Sequence, residues 1–302
     1  MKPLSVGNIV SAGLRIYRDN FGIYFRIALL AYLWIFAPIV IFTVALISII
    51  SVALGQISGN IGLYVLILVV GIVALAYSSA RYAAMSGLLA RLAYKEVGEQ
   101  PETIAEAKRH TKPRMWDFWI AGILTALIGF GAGLAYMIVY GVVVGIVGAI
   151  AGQNAVWLPI LVMVILSIAG ILGVFWLSSR LFLFELPLAV EDGIKAGGSV
   201  GKSWEISKGA VGRIQLVLLV SFLISIPIFI ATSIISSIAQ AIIGGVLGNI
   251  SPELGAVAII VFSIASTLAS GALMIPFWQS IKAVIYHDLK VRREGMGFDL
   301  RK

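Results

Sequence analysis

All 22 Lys and Arg residues of this 302-residue chain fall in four stretches. They run from Lys2 to Arg26, Arg81 to Arg114, Arg180 to Arg213 and Lys282 to Lys302. Long apolar segments separate them. The connectors at the far ends of those segments, around Gly55 to Asn60 and Gly152 to Asn154, carry no charge, and the third holds only Glu253. Cations stay on one side of such a chain only if the apolar runs are paired, one crossing outward and the next returning. The pattern therefore predicts an even number of crossings with both termini on the basic side. The positive-inside rule makes that side cytoplasmic.

Composition agrees. Apolar residues make up 60% of the chain and charged residues 12%, where a soluble domain has about 25% charged. A membrane crossing takes about 20 apolar residues. Six segments qualify, roughly Ile27 to Leu54, Ile61 to Ala80, Phe118 to Ile150, Val156 to Ser179, Ile214 to Leu247 and Leu254 to Ile281. The expectation is an all-α integral membrane protein. It has six transmembrane helices in three helical-hairpin units, with short amphipathic helices on the cytoplasmic face. Residues 1–302 form a single membrane domain, with 286–302 as a cytoplasmic tail. No cleavable signal peptide is expected, because Arg15, Arg18, Asp19 and Arg26 interrupt any apolar signal core. Pro38, Pro159, Pro227 and Pro276 are kink candidates. Trp157 suits an outer interface anchor, and Trp116, Trp119, Trp176, Trp204 and Trp278 an inner aromatic belt. In the third span Gly129 and Gly133, Gly141 and Gly145, and Gly148 and Gly152 are each four apart. Such spacing lets helix backbones approach, and the expectation is packing within the chain, with a dimer seam as the alternative.

The inner ends of the even-numbered spans repeat a pattern of an aromatic residue, small or polar residues, then a cation. The instances are Tyr77 to Arg81, Trp176 to Arg180 and Trp278 to Lys282. The odd-numbered spans follow similar lead-ins, Ser5-Val6-Gly7-Asn8 and Ser199-Val200-Gly201-Lys202. Three candidate units result, 5–92, 102–190 and 193–290, sharing one orientation about an axis along the membrane normal. In the first lead-in, Val6, Ile9, Val10, Leu14 and Tyr17 recur at helical spacing, with Asn8, Ser11, Arg15 and Arg18 opposite. Ser5 is a plausible N-cap. The helix either lies in the inner interface or packs on the bundle.

Few residues suggest chemistry. Ala196 to Ser203 fits a relaxed phosphate-loop pattern, but no strand precedes it and no second nucleotide motif accompanies it. A glycine-containing amphipathic linker is the better reading, and no nucleotide is expected. His110 and His287 lack partners at ligand spacing, and the chain has no cysteine. Disulfides, thiolate chemistry and metal sites are not expected. Glu185, Glu191, Asp192 and Glu205 are expected to balance local charge. The pI near 9.7 reflects basic flanks that attract anionic lipid, so no nucleic-acid partner is expected. With no catalytic set and no cofactor, the chain is read as not an enzyme.

The candidate binding residues are Arg81, Arg180 and Lys282, with Arg26 and Arg213 at the entries of the first and fifth spans. Apolar sequence continues past Arg81 and Arg180, which sets these cations slightly inside the interface. Intramembrane charges are costly and often mark function. Packed about one axis, the three repeat cations would form a basic pocket for a lipid phosphate or an acidic partner. The alternative is snorkelling to the headgroups. Charged runs are absent from the middle of the spans, which counts against an ion or proton path.

Three passages carry a resemblance. They are Pro3 to Val10 with Leu14 to Gly22; Pro187 to Asp192 with Ser203-Trp204 and Lys208-Gly209; and Ile285 to Gly295. The chain resembles the bacterial family named after the membrane domain of glycerophosphoryl diester phosphodiesterase. The resemblance implies a multi-span helical domain. The hydrolytic barrel of fused members has no room here, and the family offers no functional residues to transfer. The sequence thus leads to a non-enzymatic scaffold or accessory subunit of the bacterial inner membrane. Its expected partners are anionic lipid headgroups, a protein partner or a second copy of itself. A transporter or permease component for a lipid-like or small anionic solute is the alternative.

Overall fold

The computed structural model describes residues 4–55, 59–152 and 155–299, leaving aside the side chains of Glu253 and of residues 294–299. The described residues form helices and turns, with no strand. The order is α1 (Val6–Asp19), α2 (Phe21–Ala53), α3 (Ile61–Val97), α4 (Ile104–Thr111), a 3₁₀ turn (Lys112–Arg114), α5 (Met115–Ala151), α6 (Trp157–Leu181), α7 (Glu185–Val190), α8 (Ala196–Ile206), α9 (Val211–Gly248) and α10 (Pro252–Asp299). Six helices are long and apolar enough to cross a membrane: α2, α3, α5, α6, α9 and α10. The architecture is that of an all-α, multi-pass membrane protein.

These helices outrun their apolar segments. At 1.5 Å per residue the 48 residues of α10 extend about 72 Å, against roughly 30 Å of hydrocarbon. The surplus stands at the basic end. There α3 continues from Ala80 to Val97, and α10 carries on through the stretch expected to be a tail, with Tyr286 and Leu289 buried. Pro38, Pro227 and Pro276 lie inside helices. Pro159 sits in the first turn of α6, where its missing amide hydrogen is tolerated.

The core is lopsided. Ile9, Leu89, Leu183, Leu186, Ile214 and Ile281 are among its fully buried side chains, and all lie near the basic end. Outside hydrocarbon, burying a side chain of this size stabilises the fold by about 1.5–3 kcal/mol. Toward the other end the helices turn large apolar side chains outward, Phe130, Met137 and Ile150 among them. Lipid is as apolar as leucine and gives no hydrophobic reason to bury them.

Consecutive spans pack as neighbours: α2 on α3, α5 on α6, and α9 on α10. Helix α1 starts at Ser5, whose hydroxyl accepts the Asn8 amide. It packs chiefly on α10 and α9, placing Ile9, Val10 and Ile16 in the core and Gly13 directly against Ile281. Its apolar face therefore meets protein, and Asn8, Ser11, Arg15 and Arg18 face outward. Tyr17 donates its hydroxyl to the Leu273 carbonyl at 3.0 Å, and burial raises its pKa above the ordinary phenol value.

The glycines of the third span depart from the expectation of packing within the chain. A methyl group placed on Gly129, Gly133, Gly141, Gly145 or Gly148 would touch nothing. Gly152 has φ +59° and ends the helix, a backbone shape that favours glycine. Gly87 is different: its added methyl would collide with the Phe118 ring, so that glycine sets the approach of α3 to α5.

Candidate functional site

The segment from Glu185 to Ile194 is the hub of the basic end. Helix α7 buries Leu186, Pro187, Leu188 and Ala189. Two arginines then take up the hub's carbonyls. Arg114 donates to Leu188 O at 2.7 Å, to Glu191 O at 2.9 Å and to Ile194 O. Arg91 donates to Ala189 O at 2.8 Å and grips Glu102 with two nitrogens, at 2.7 and 3.0 Å. The four acids singled out from the sequence all have partners. Glu191 accepts the Tyr286 hydroxyl at 2.7 Å and pairs with Lys290, Asp192 faces His110, and Glu205 pairs with Arg293. Glu185 is the deepest. Its carboxylate accepts from Lys282 Nζ at 2.8 Å, Gln279 Nε2 at 2.6 Å and Ser86 Oγ at 3.3 Å. Glu185, Glu191 and Glu205 thus each lie beside a cation, while Asp192 stands exposed beside His110.

The five candidate cations separate into different environments. Lys282 is neutralised by Glu185 and lies 5.1 Å from the centre of the Phe182 ring. Arg180 is buried between Trp176 and Trp204, with ring centres at 5.5 and 4.8 Å, and donates to Trp204 O at 3.0 Å. It fastens the end of α6 to α8. Arg213 pairs with Asp288 at 3.2 Å and donates to the Leu4 carbonyl. The same Asp288 accepts the Leu4 amide and Arg292 Nε, so this cluster joins the first described residue to α9 and α10. Arg26 is exposed with no partner among the described residues. Arg81 stacks 4.4 Å from the Trp34 ring centre and donates to the Tyr77 hydroxyl at 3.0 Å. No hydrogen bond, ion pair or ring contact among the described residues joins any two of Arg81, Arg180 and Lys282. The aromatic one turn before each arginine is its stacking platform, which gives the repeated pattern a local meaning worth about 0.5–2 kcal/mol per contact.

Arg81 shares a groove with further cations that have no acidic partner among the described residues. The groove, about 610 Å³, lies where α2 and α3 meet α4 and the start of α5. Ile27, Leu30, Met85, Leu88, Ile104 and Trp116 supply apolar wall, and Arg81, Lys108 and Lys112 supply positive charge. None of the three has an acidic partner among the described residues. Helix α4 is set by a capping box, in which Thr103 Oγ1 accepts the Glu106 amide and Glu106 accepts the Thr103 amide. That cap fixes the register that carries Lys108 and the following Lys112 to the groove. The two lysines are four residues apart at the end of α4, a spacing that places them on one face. Sequence reasoning missed them, although that spacing was there to see.

An apolar trough with unneutralised cations has the chemistry of an anionic amphiphile's site. The phosphate-loop pattern forms no such site. Ala196 to Ile206 is helical, and the Ser199 amide is already bonded to Lys195 O at 3.0 Å. Among the described residues no cluster of three or more potential metal ligands occurs. No protein-family model matches the chain, nor does any curated protein or any solved structure.

Proposed function

We propose that this chain is a non-enzymatic multi-pass scaffold or accessory subunit of the bacterial plasma membrane, which holds an anionic phospholipid at its cytoplasmic face. The observation that carries the reading is the groove of Arg81, Lys108 and Lys112. Both termini lie on the basic, cytoplasmic side by the positive-inside rule. The acyl chain lies along Ile27, Leu30 and Leu88, and the phosphate meets the three cations. The Trp34 and Tyr77 rings hold Arg81 in place without neutralising it. Cations near an anionic surface contribute about 1 kcal/mol each. The resemblance to the membrane-domain family is in keeping with a multi-span helical domain.

The test uses protein reconstituted in nanodiscs that contain phosphatidylglycerol, with retained lipid counted by native mass spectrometry after detergent transfer. The wild type retains phosphatidylglycerol over phosphatidylcholine. The R81Q/K108Q/K112Q variant loses that preference by about 100-fold if the three terms add. Equal retention by variant and wild type rejects the site.

A further inference from the structure

A second cavity stands apart from the cations. It is a groove of about 680 Å³ between α9 and α10, lined by hydroxyls: Thr232, Ser233, Ser236 and Ser237 on one side, and Ser266, Thr267 and Ser270 on the other. Ser266 is near the middle of the apolar run from Leu254 to Ile281, and Thr232 near the middle of that from Ile214 to Leu247. Hydrocarbon at this depth offers no hydrogen bonds. Thr232 and Thr267 satisfy themselves on Ile228 O and Ser263 O, each at 2.9 Å. Ser266 donates to Ser236 Oγ, which also accepts Gln240 Nε2, both at 2.9 Å. That chain ties the two helices together. Ser233, Ser237 and Ser270 have no partner among the described residues.

We propose that this groove is a binding site for a neutral, hydroxyl-bearing ligand on an apolar chain, a lipid alcohol of the diacylglycerol kind. No charged side chain lines the groove, so an ion would enter with nothing to offset its desolvation. A serine hydroxyl both donates and accepts, and an alcohol answers both capacities. At the inner end the lining becomes Met274, Ile275 and Trp278, which suits a hydrocarbon chain. The volume falls within the roughly 300–1,000 Å³ of small-molecule sites. The site shares no lining residue with the cationic groove, so it stands or falls independently of the lipid phosphate reading. A free polyol shares the ligand chemistry.

The test is photolabelling in nanodiscs with a diacylglycerol carrying a photoreactive acyl chain, beside its acetylated analogue, which lacks the free hydroxyl. Wild-type protein gives adducts on peptides between Phe229 and Trp278, and the analogue gives few. The S233A/S237A/S270A variant, which leaves the Ser236–Ser266 bond in place, loses about tenfold or more of the adduct as hydrogen bonds of about 1 kcal/mol each disappear. The single S270A variant shows a smaller loss in the same direction. Excess erythritol separates the sources: competition assigns the site to a free polyol and undiminished labelling to the lipid, and the site stands in both cases. Equal labelling of wild type and triple variant, or equal labelling by the acetylated analogue, overturns it.

Discussion

Lys282 and Arg81 occupy matching places in the sequence pattern and opposite places in the electrostatics. Lys282 meets Glu185 inside the basic end, with each side chain only 13% exposed. Removing one member of such a pair leaves the other uncompensated, which costs about 3–5 kcal/mol, while replacing both with apolar groups is often neutral. E185Q should therefore lower the melting temperature of the detergent-solubilised protein sharply, and E185L/K282M should recover most of the loss. A double variant as unstable as E185Q would show that the pair does not act as a unit. Arg81 has aromatic partners and no acid, so R81Q should lower the melting temperature far less than E185Q, by the loss of its stacking contacts alone, and act chiefly on lipid retention. None of this division was legible in the sequence. Glu185 is 97 residues from Lys282 and Asp288 is 75 from Arg213, and only the packing of α7 and α10 decides which cations are neutralised.

At the scale of the element, glycine shows how far periodicity reaches. The spacing in α5 invites a packed seam, yet its glycines face open space, while Gly87 and Gly13, which carry no such signature, are among those that make close contacts. G87A drives a methyl group into the Phe118 ring. It should destabilise the protein by about 1–3 kcal/mol through overpacking. G141A meets no neighbour and should leave stability unchanged or raise it by up to about 1 kcal/mol, the difference in helix propensity. Equal losses in thermal unfolding of the two variants would contradict this assignment. Helix α1 was more readable. Its apolar stripe and Ser5 cap gave its extent, but the stripe could not say whether lipid or protein would cover it, and α10 supplies the cover. In α4 the lysine pair was visible and its meaning was not, because the groove exists only where α2 and α3 pass beside it.

Across the whole molecule the charge segregation was the readable feature, since crossing hydrocarbon constrains composition over about 20 residues at a time. The six apolar helices follow from it. The compact basic end does not, because its contacts join residues from across the chain. Sidedness is the premise on which the lipid site rests, and the absence of cysteine makes it directly measurable. Single cysteines at Leu54, Trp157 and Ile250 would stand at the far ends of the spans, and at Lys108, Lys195 and Lys202 at the basic end. Applied to intact cells, a membrane-impermeant maleimide should label the first three, and it should reach the second three only after lysis. Labelling of both groups from the same side of an intact membrane would contradict the account.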